Sequence, residues 1–395
     1  MRMLVHDYAG HPFQVQLSRS LARRGHEVRH VYSRSMQTPH GRLERGAGDP
    51  SRFDVVGIEL SAPLEKYSLF TRRKQDREHG KLAAQEIERF APDTVLSGNT
   101  WIDAQALLLR HCRRNGIRFA YWLQDLFGVG MYRILGKRLP VFGHVVGAFY
   151  RARERRLLAL SDAVVAITED FTGILEGYDV PRDRIHVIEN WAPLDELPPH
   201  PKDNSWARAH GLQSSFCFLY SGTMGMKHNP DLLLRLARHF AAEPAVRIVV
   251  ISEGLGARWL RERKSALGLD NLTLLGFQPF ESLPEVLAAS DVLVAVLESD
   301  AGVFSVPSKV LSYLCAARPL LLAVPPENLV FRIVGRAEAG LTAPSGDPDA
   351  FVAAADRLYR DAALRRACGR NARTYAESHF DIDRITDRFE LILRP

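Results

Sequence analysis

The chain of 395 residues has room for one to three domains, and 46% apolar with 25% charged residues is an ordinary balance for a soluble globular protein. No run of about 18 apolar residues occurs, so no membrane-spanning helix is expected, and the opening Met1–Gly10 reads as a strand rather than a signal peptide. A net charge of +6 and a pI near 9.2 suit an acidic ligand, a nucleic acid or an anionic membrane surface, and equally a basic surface without special role. With no zinc-finger spacing and no RNA-binding aromatic motif, a nucleic-acid partner is not expected. The cysteines Cys112, Cys217, Cys315 and Cys368 are far apart in apolar or helical contexts. They predict buried free thiols in a reducing cytoplasm, with neither disulfides nor a metal site.

Short apolar runs alternate with helical patterns along the whole chain. In the first half the strand candidates are Met3–His6, Glu27–Tyr32, Thr94–Ser97, Phe119–Leu123, Ala163–Thr168 and His186–Ile188. In the second half they are Cys217–Ser221, Arg247–Ser252, Leu272–Gly276, Val292–Leu297, Pro319–Ala323 and Gly340–Thr342. These runs are rich in Val, Ile and Leu and do not alternate with polar residues, the pattern of strands buried on both faces of a parallel sheet. Helices are expected at Gln14–Arg24, Asp103–Asn115, Pro230–Phe240, Leu283–Ser290, Ser308–Ala316 and Asp349–Asp361. The alternation predicts an α/β protein. Three prolines in four residues, within Asn190–Ser205, predict a stiff, extended linker. Domains are accordingly expected at 1–192 and 206–377, joined by a linker at 193–205, with a helix over 378–395 returning to the first domain. Ligands of open α/β sheets bind beyond the carboxyl ends of the strands, so two such domains facing each other would enclose a cleft.

The stretch from Met131 to Leu160 mixes Val141, Val145, Val146 and Phe149 with Arg133, Lys137, Arg138, Arg151, Arg153, Arg155 and Arg156. Pro140 is expected to break it, leaving a helix from about 141 onward. Such a helix either lies on an anionic membrane surface or shows water a basic face above a packed one.

The most informative motif is Phe218–Asn229, an apolar strand running into a glycine-bearing turn with a lysine just ahead of a helix. Gly222 and Gly225 permit tight backbone, and Lys227 adds a point charge, which together make a phosphate cradle. The alternative is an ordinary turn with an exposed lysine. At Val306–Leu314, Pro307 fits a first helical turn with Ser305 or a neighbour as cap, so Ser308 and Lys309 would meet a phosphate at a helix start, or simply cap the helix. Gly276 and Phe277 would pack an aromatic base, or form a plain turn. In the first half, Asp7–Pro12, Gly98–Thr100 and Gln124–Asp125 all follow strands. Asp7 or Asp125 would orient an acceptor hydroxyl and His11 would touch a sugar or phosphate, unless each merely caps its loop. The chain lacks a P-loop, a G-x-S-x-G elbow and an Asp-x-Asp pair at a strand end, which argues against ATP hydrolysis, the common hydrolase elbow and a metal-held diphosphate.

Taken in order, these elements resemble the retaining glycosyltransferases of family 4, which have the GT-B fold of two facing Rossmann-like domains, each with a mostly parallel sheet. Gly25-His26-Glu27-Val28, Ser161–Thr168 and Val187–Trp191 resemble that family's first domain. Gly222–Pro230 resembles its donor-phosphate turn. Val306–Lys309 with Ala317–Pro319 resembles the branch that builds bacterial surface polysaccharides of the colanic-acid and O-antigen type.

The resemblance implies a hexosyltransferase without cofactor or metal, moving sugar from a UDP-sugar or GDP-sugar to a saccharide acceptor, expected to be lipid-linked. It implies Gly225 and Lys227 on the donor diphosphate, with Gly222, Thr223, Gly254, Val306, Ser308, Lys309 and Ser312 around it. Gly276 and Phe277 would flank the base and Gly10 would approach the donor or acceptor. Asp7, His11 and Asn99 would serve the acceptor, with Lys227, Asp125 and Gln124 nearest the chemistry. The implied setting is cytoplasmic, peripheral on the inner face of the membrane, in lipopolysaccharide or related polysaccharide assembly. Phe304 and Ser312 stand where the family often has two glutamates, Thr223 where it has an arginine, and Gln124 where it has a histidine. Those departures keep two other readings open: an inactive GT-B scaffold and a sugar-nucleotide epimerase.

Overall fold

Strands that bury both faces must be covered by helices on each side, and the apolar runs form two parallel sheets of this kind. The computed structural model describes residues 1–36, 40–65, 68–139, 141–225, 228–298 and 306–394. Its strands are β1 (Arg2–Asp7), β2 (Glu27–Ser33), β3 (Phe53–Ile58), β4 (Thr94–Gly98), β5 (Arg118–Leu123), β6 (Ala163–Ala166) and β7 (Ile185–Val187), then β8 (Phe216–Ser221), β9 (Val246–Ile251), β10 (Leu272–Leu275), β11 (Val292–Val296), β12 (Leu320–Ala323) and β13 (Gly340–Ala343). The helices are α1 (Pro12–Arg23), α2 (Leu69–Phe90), α3 (Ile102–Arg114), α4 (Phe127–Arg138), α5 (Phe142–Leu160), α6 (Thr172–Glu176), α7 (Ser205–Ala209) and α8 (Pro230–His239). They continue with α9 (Leu255–Leu267), α10 (Leu283–Ala288), α11 (Lys309–Cys315), α12 (Leu329–Arg336), α13 (Pro348–Arg360), α14 (Ala362–His379) and α15 (Ile382–Leu393).

Two compact units result, one from Met1–Asn190 with Ile382–Pro395 and one from Trp191–Asp381. The first holds a seven-stranded sheet in the order β3-β2-β1-β4-β5-β6-β7, the second a six-stranded sheet in the order β10-β9-β8-β11-β12-β13. Every pairing is parallel, with Asp7 beside Gly98 and Gly98 beside Trp122 at the carboxyl edge of the first sheet. Strand order reverses between β1 and β4 and between β8 and β11, the two places where an open α/β sheet leaves a crevice for a ligand. Helix α15 belongs to the first unit: Arg24, which caps the end of α1, pairs with Asp387 and Glu390, and Phe389 packs edge-on to Trp122 at 4.8 Å.

Several elements differ from the sequence reading, which expected no helix at α4, α9, α12 or α14. Strand β3 was not expected, because as an edge strand carrying Asp54 and Gly57 it is only partly buried and has no continuous apolar run. Helix α2, of 22 residues, was not expected either. Its inward face is polar over the first half, with Arg72, Gln75, Asp76 and His79 buried, and the apolar residues Ala83, Ile87 and Phe90 mark only its end. The Pro-rich segment is not a free spacer. Trp191 and Leu197 are buried, Lys202 pairs with Asp291, and Arg318 and Arg373 donate to the carbonyls of His200 and Leu197 at 3.1 Å each, fastening it to the second unit. All four cysteines are buried and unpaired, and burial pushes the Cys112 and Cys315 thiols up to about 12.

Candidate active site

The second unit builds its site at the carboxyl edge of β8, β9 and β10 and at the start of α11. Ser221 ends β8, and Gly222 follows with φ +130°, a conformation that favours glycine. The turn is tied down from three sides. The Gly222 amide donates to the Ile251 carbonyl at 2.9 Å and the Met224 amide to Glu253 at 3.3 Å. The Tyr313 hydroxyl donates to the Ser221 carbonyl at 3.0 Å and accepts from the Ser221 amide at 2.8 Å. Met224 is fully buried beside Gly256, and the Gly225 amide donates to His228 Nδ1 at 3.1 Å. The side chain of Asn229 caps α8 by accepting from the Asp231 amide.

Lys309, the first residue of α11, reaches back over this turn. Its ammonium lies 3.6 Å from the centre of the Tyr220 ring, touches the Tyr220 hydroxyl and approaches the Thr223 carbonyl at 3.4 Å. A Cβ added to Gly222 would lie 3.0 Å from Lys309 Cε, a tight contact at the end of the lysine chain. Two segments 86 residues apart in sequence, each read from sequence as phosphate-binding, therefore meet at the switch point of the second sheet. Gly254 (φ +107°) follows β9 at the start of α9, and its added Cβ would meet the Met224 carbonyl at 3.1 Å. Gly276 is exposed beyond β10 near Glu253, and Phe277 is half-buried beside it.

The helix start differs from the expected one. Helix α11 opens at Lys309 with exposed Ser308 as its cap residue, so Pro307 precedes the cap instead of filling the first turn. Val306 is half-buried before it, and Ser312 is half-buried one turn further on, on the helix face of Lys309 and Ser308. Lys227, Ser305 and Phe304 lie outside the described residues. Sequence reasoning missed Tyr220 and Tyr313. Their signal was a phenol inside an otherwise apolar strand and helix, where a hydroxyl has to find a partner.

In the first unit the corresponding edge carries polar groups that are turned inward. Asp7 is fully buried, and its carboxylate accepts from the amides of Ala9 (3.1 Å) and His11 and from Asn99 Nδ2 (3.5 Å). Gln14, with its amide turned, donates to the same carboxylate at 2.9 Å. Burial pushes the Asp7 carboxyl up to about 7 against those hydrogen bonds. His11 is the half-buried cap residue of α1, Asn99 has φ +51°, and Gly10 (φ +72°) is buried with Leu43 and His40 over it. Gln124 and Asn190 exchange amide hydrogen bonds of 2.6 and 3.3 Å, fixing the end of β5, while Asp125 beside them is half-buried. Behind β1, Tyr8 donates to Asp76 at 3.3 Å, and Arg72 pairs with Asp76 at 2.8 Å while stacking over Trp101. Among the described residues no cluster of three or more His, Cys, Asp or Glu is placed to hold a metal ion, and no helix is long and apolar enough to cross a membrane.

Residues 14–196 match the family model described as Glycosyltransferase Family 4, and residues 203–375 the one described as Glycosyl transferases group 1. No curated protein sequence matches the chain. Solved structures do. Sucrose-phosphate synthase from Thermosynechococcus elongatus superposes with a TM-score of 0.73 at 15% identity over 99% of this chain and 98% of that one. HepE of Anabaena, in complex with UDP-glucose, gives 0.70 at 14% identity over 100% and 99%. WaaG, a glycosyltransferase involved in lipopolysaccharide biosynthesis, gives 0.66 at 16% identity over 99% of each chain. At such identities the likeness speaks for the fold, which is GT-B.

Proposed function

We propose that this chain, which matches a Glycosyltransferase Family 4 model in its first half and a Glycosyl transferases group 1 model in its second, moves a sugar from a UDP-sugar or GDP-sugar to a lipid-linked saccharide in bacterial polysaccharide assembly, with retention and without a metal. The observation that carries this reading is the Lys309 ammonium held over the Gly222–Thr223 turn at the switch point of the second sheet. A cation and a glycine turn at that place suit a diphosphate, and a positive charge there stabilises the leaving group where charge develops. In the transfer, the bond from the anomeric carbon to the diphosphate oxygen breaks and its electron pair stays on the phosphate. The acceptor oxygen bonds to the same carbon, and its proton passes to the departing diphosphate. Lys309 supplies the countercharge, Lys227 is assigned a second one, and Gly276 with Phe277 receives the base. On the first unit, Asp7 sets the turn that presents His11 and Asn99 to the acceptor, and Gln124 and Asp125 sit beside it. The neighbour that binds UDP-glucose and the one that serves lipopolysaccharide biosynthesis support this choice of donor and pathway. The enzyme is assigned to the cytoplasmic face of an anionic membrane.

The test is a panel of UDP- and GDP-sugars, with nucleotide release followed in the presence and absence of saccharide acceptors. The reading predicts release from one donor that depends on acceptor. A chain that binds no nucleotide would be a scaffold, and one that converts donor without acceptor would be an epimerase; either result overturns the proposal.

A further inference from the structure

The largest apolar exposure in the described residues is concentrated on the first unit. Phe70 on α2 is 85% exposed, and Val141 (82%), Phe142 (56%) and Val145 (64%) are exposed ahead of and along α5, with Leu139 and Phe149 half exposed. On α5, Phe142, Val145 and Phe149 follow the spacing i, i+3, i+7 and share one face. The hairpin of α4 and α5 does not need these side chains for its own packing. Its seam is made of glycines: Gly128 lies against the Arg151 backbone (2.7 Å to its Cα from an added Cβ), Gly143 against Leu135 and Gly147 against Tyr132. Close backbone approach buries the small residues and turns the large ones outward.

The same face is cationic. Arg73, Lys74, Arg77 and Lys81 line one shallow depression with Phe70, and its single acid, Glu78, accepts from the Ser61 amide. Arg73 stacks against the Phe149 ring at 5.7 Å, joining the start of α2 to α5. On α5, Arg151 and Arg156 are exposed, Arg153 pairs with Asp103 and Arg155 with Asp179, and the one acid of residues 131–160, Glu154, is fully buried.

We infer that this face, from Phe70–Lys81 on α2 to Val141–Phe149 on α5, docks on the surface of an anionic lipid bilayer, the apolar tips entering the headgroup boundary and the cations meeting lipid phosphates. The inference rests on the glycosyltransferase reading only for its purpose, a lipid-linked acceptor; its evidence is the surface itself. Charge decides the occupant. A second copy seated two-fold on this face would set like cations against one another, which disfavours a self-dimer.

Co-sedimentation with vesicles of phosphatidylcholine containing phosphatidylglycerol, compared with phosphatidylcholine alone, tests it. The whole chain should pellet with the anionic vesicles at low salt and weaken about tenfold or more as ionic strength rises past ~0.3 M. Phe70→Ser with Val141→Ser and Val145→Ser, and separately Lys74→Glu with Arg77→Glu, should each lower binding about tenfold or more while thermal unfolding and nucleotide-sugar binding stay unchanged. Wild-type protein left in the supernatant, serine variants that bind as wild type does, or dimers dissolved by those variants would overturn the inference. Loss of vesicle binding with nucleotide-sugar binding intact would sink this inference alone. Vesicle binding without any nucleotide binding would sink the glycosyltransferase reading alone.

Discussion

The carboxyl edges of the two sheets are made from the same topology and do opposite things with their polar groups. At the first edge the functional-looking residues are consumed internally: Asp7 by its own turn, Gln124 by Asn190, Gln14 by Asp7. At the second edge a full charge, Lys309, is carried across a glycine turn and meets the Tyr220 ring and the Thr223 carbonyl. A buried carboxylate bound to amides makes a fixed scaffold, whereas a lysine carried across a glycine turn brings positive charge to that turn. The comparison assigns rigidity to the first edge and electrostatic work to the second.

The largest expected effect breaks the second edge. Lys309→Ala should lower kcat about 100-fold or more with the fold intact, as removal of one donor to a developing anion does, and Lys309→Arg should recover part of it. Steady-state kinetics on the donor found in the panel checks this, and an unchanged kcat would remove Lys309 from the chemistry. A smaller effect, on stability, is expected at the first edge. Gln124→Ala leaves the buried Asn190 amide without its partner and should cost about 1–3 kcal/mol in urea unfolding, while nucleotide affinity stays near wild type.

A pH-dependent effect on stability belongs to Glu154, whose carboxyl lies fully buried against the start of α4. Burial pushes it up to about 8. A raised carboxyl keeps its proton in the folded state, so its stability is complete below the unfolded value near 4.5 and is lost as pH rises through about 8. Glu154→Gln should match wild type in acid and become the more stable protein toward pH 8, the gap growing by up to ~1.4 kcal/mol per pH unit within that window. Parallel melting curves across the range would contradict it.

Much of this was legible in the sequence because strands buried on both faces leave continuous apolar runs, and β1, β5, β8 and β11 were found that way. Helix α2 was hidden because the first half of its packing is polar: His79 meets His6 at 2.8 Å and Asp76 accepts from Tyr8 at 3.3 Å, which confines the apolar signal to Ala83, Ile87 and Phe90. At the site, glycines and lysines in the turns at 222 and 309 could be read as anion-binding one segment at a time. That they meet could not, since the contact depends on strand order placing β8 beside β11. The Gln124–Asn190 exchange was unreadable for the same reason, joining residues 66 apart in sequence.

Amide hydrogen exchange with and without UDP and GDP decides whether the nucleotide diphosphate is held at the second edge. One of the two nucleotides should slow exchange in residues 221–225, 254–256 and 306–312, leave 7–11, 97–100 and 124–126 unchanged, and lose this protection in Lys309→Ala. Protection at the first edge instead, or none at the second with either nucleotide, would contradict it.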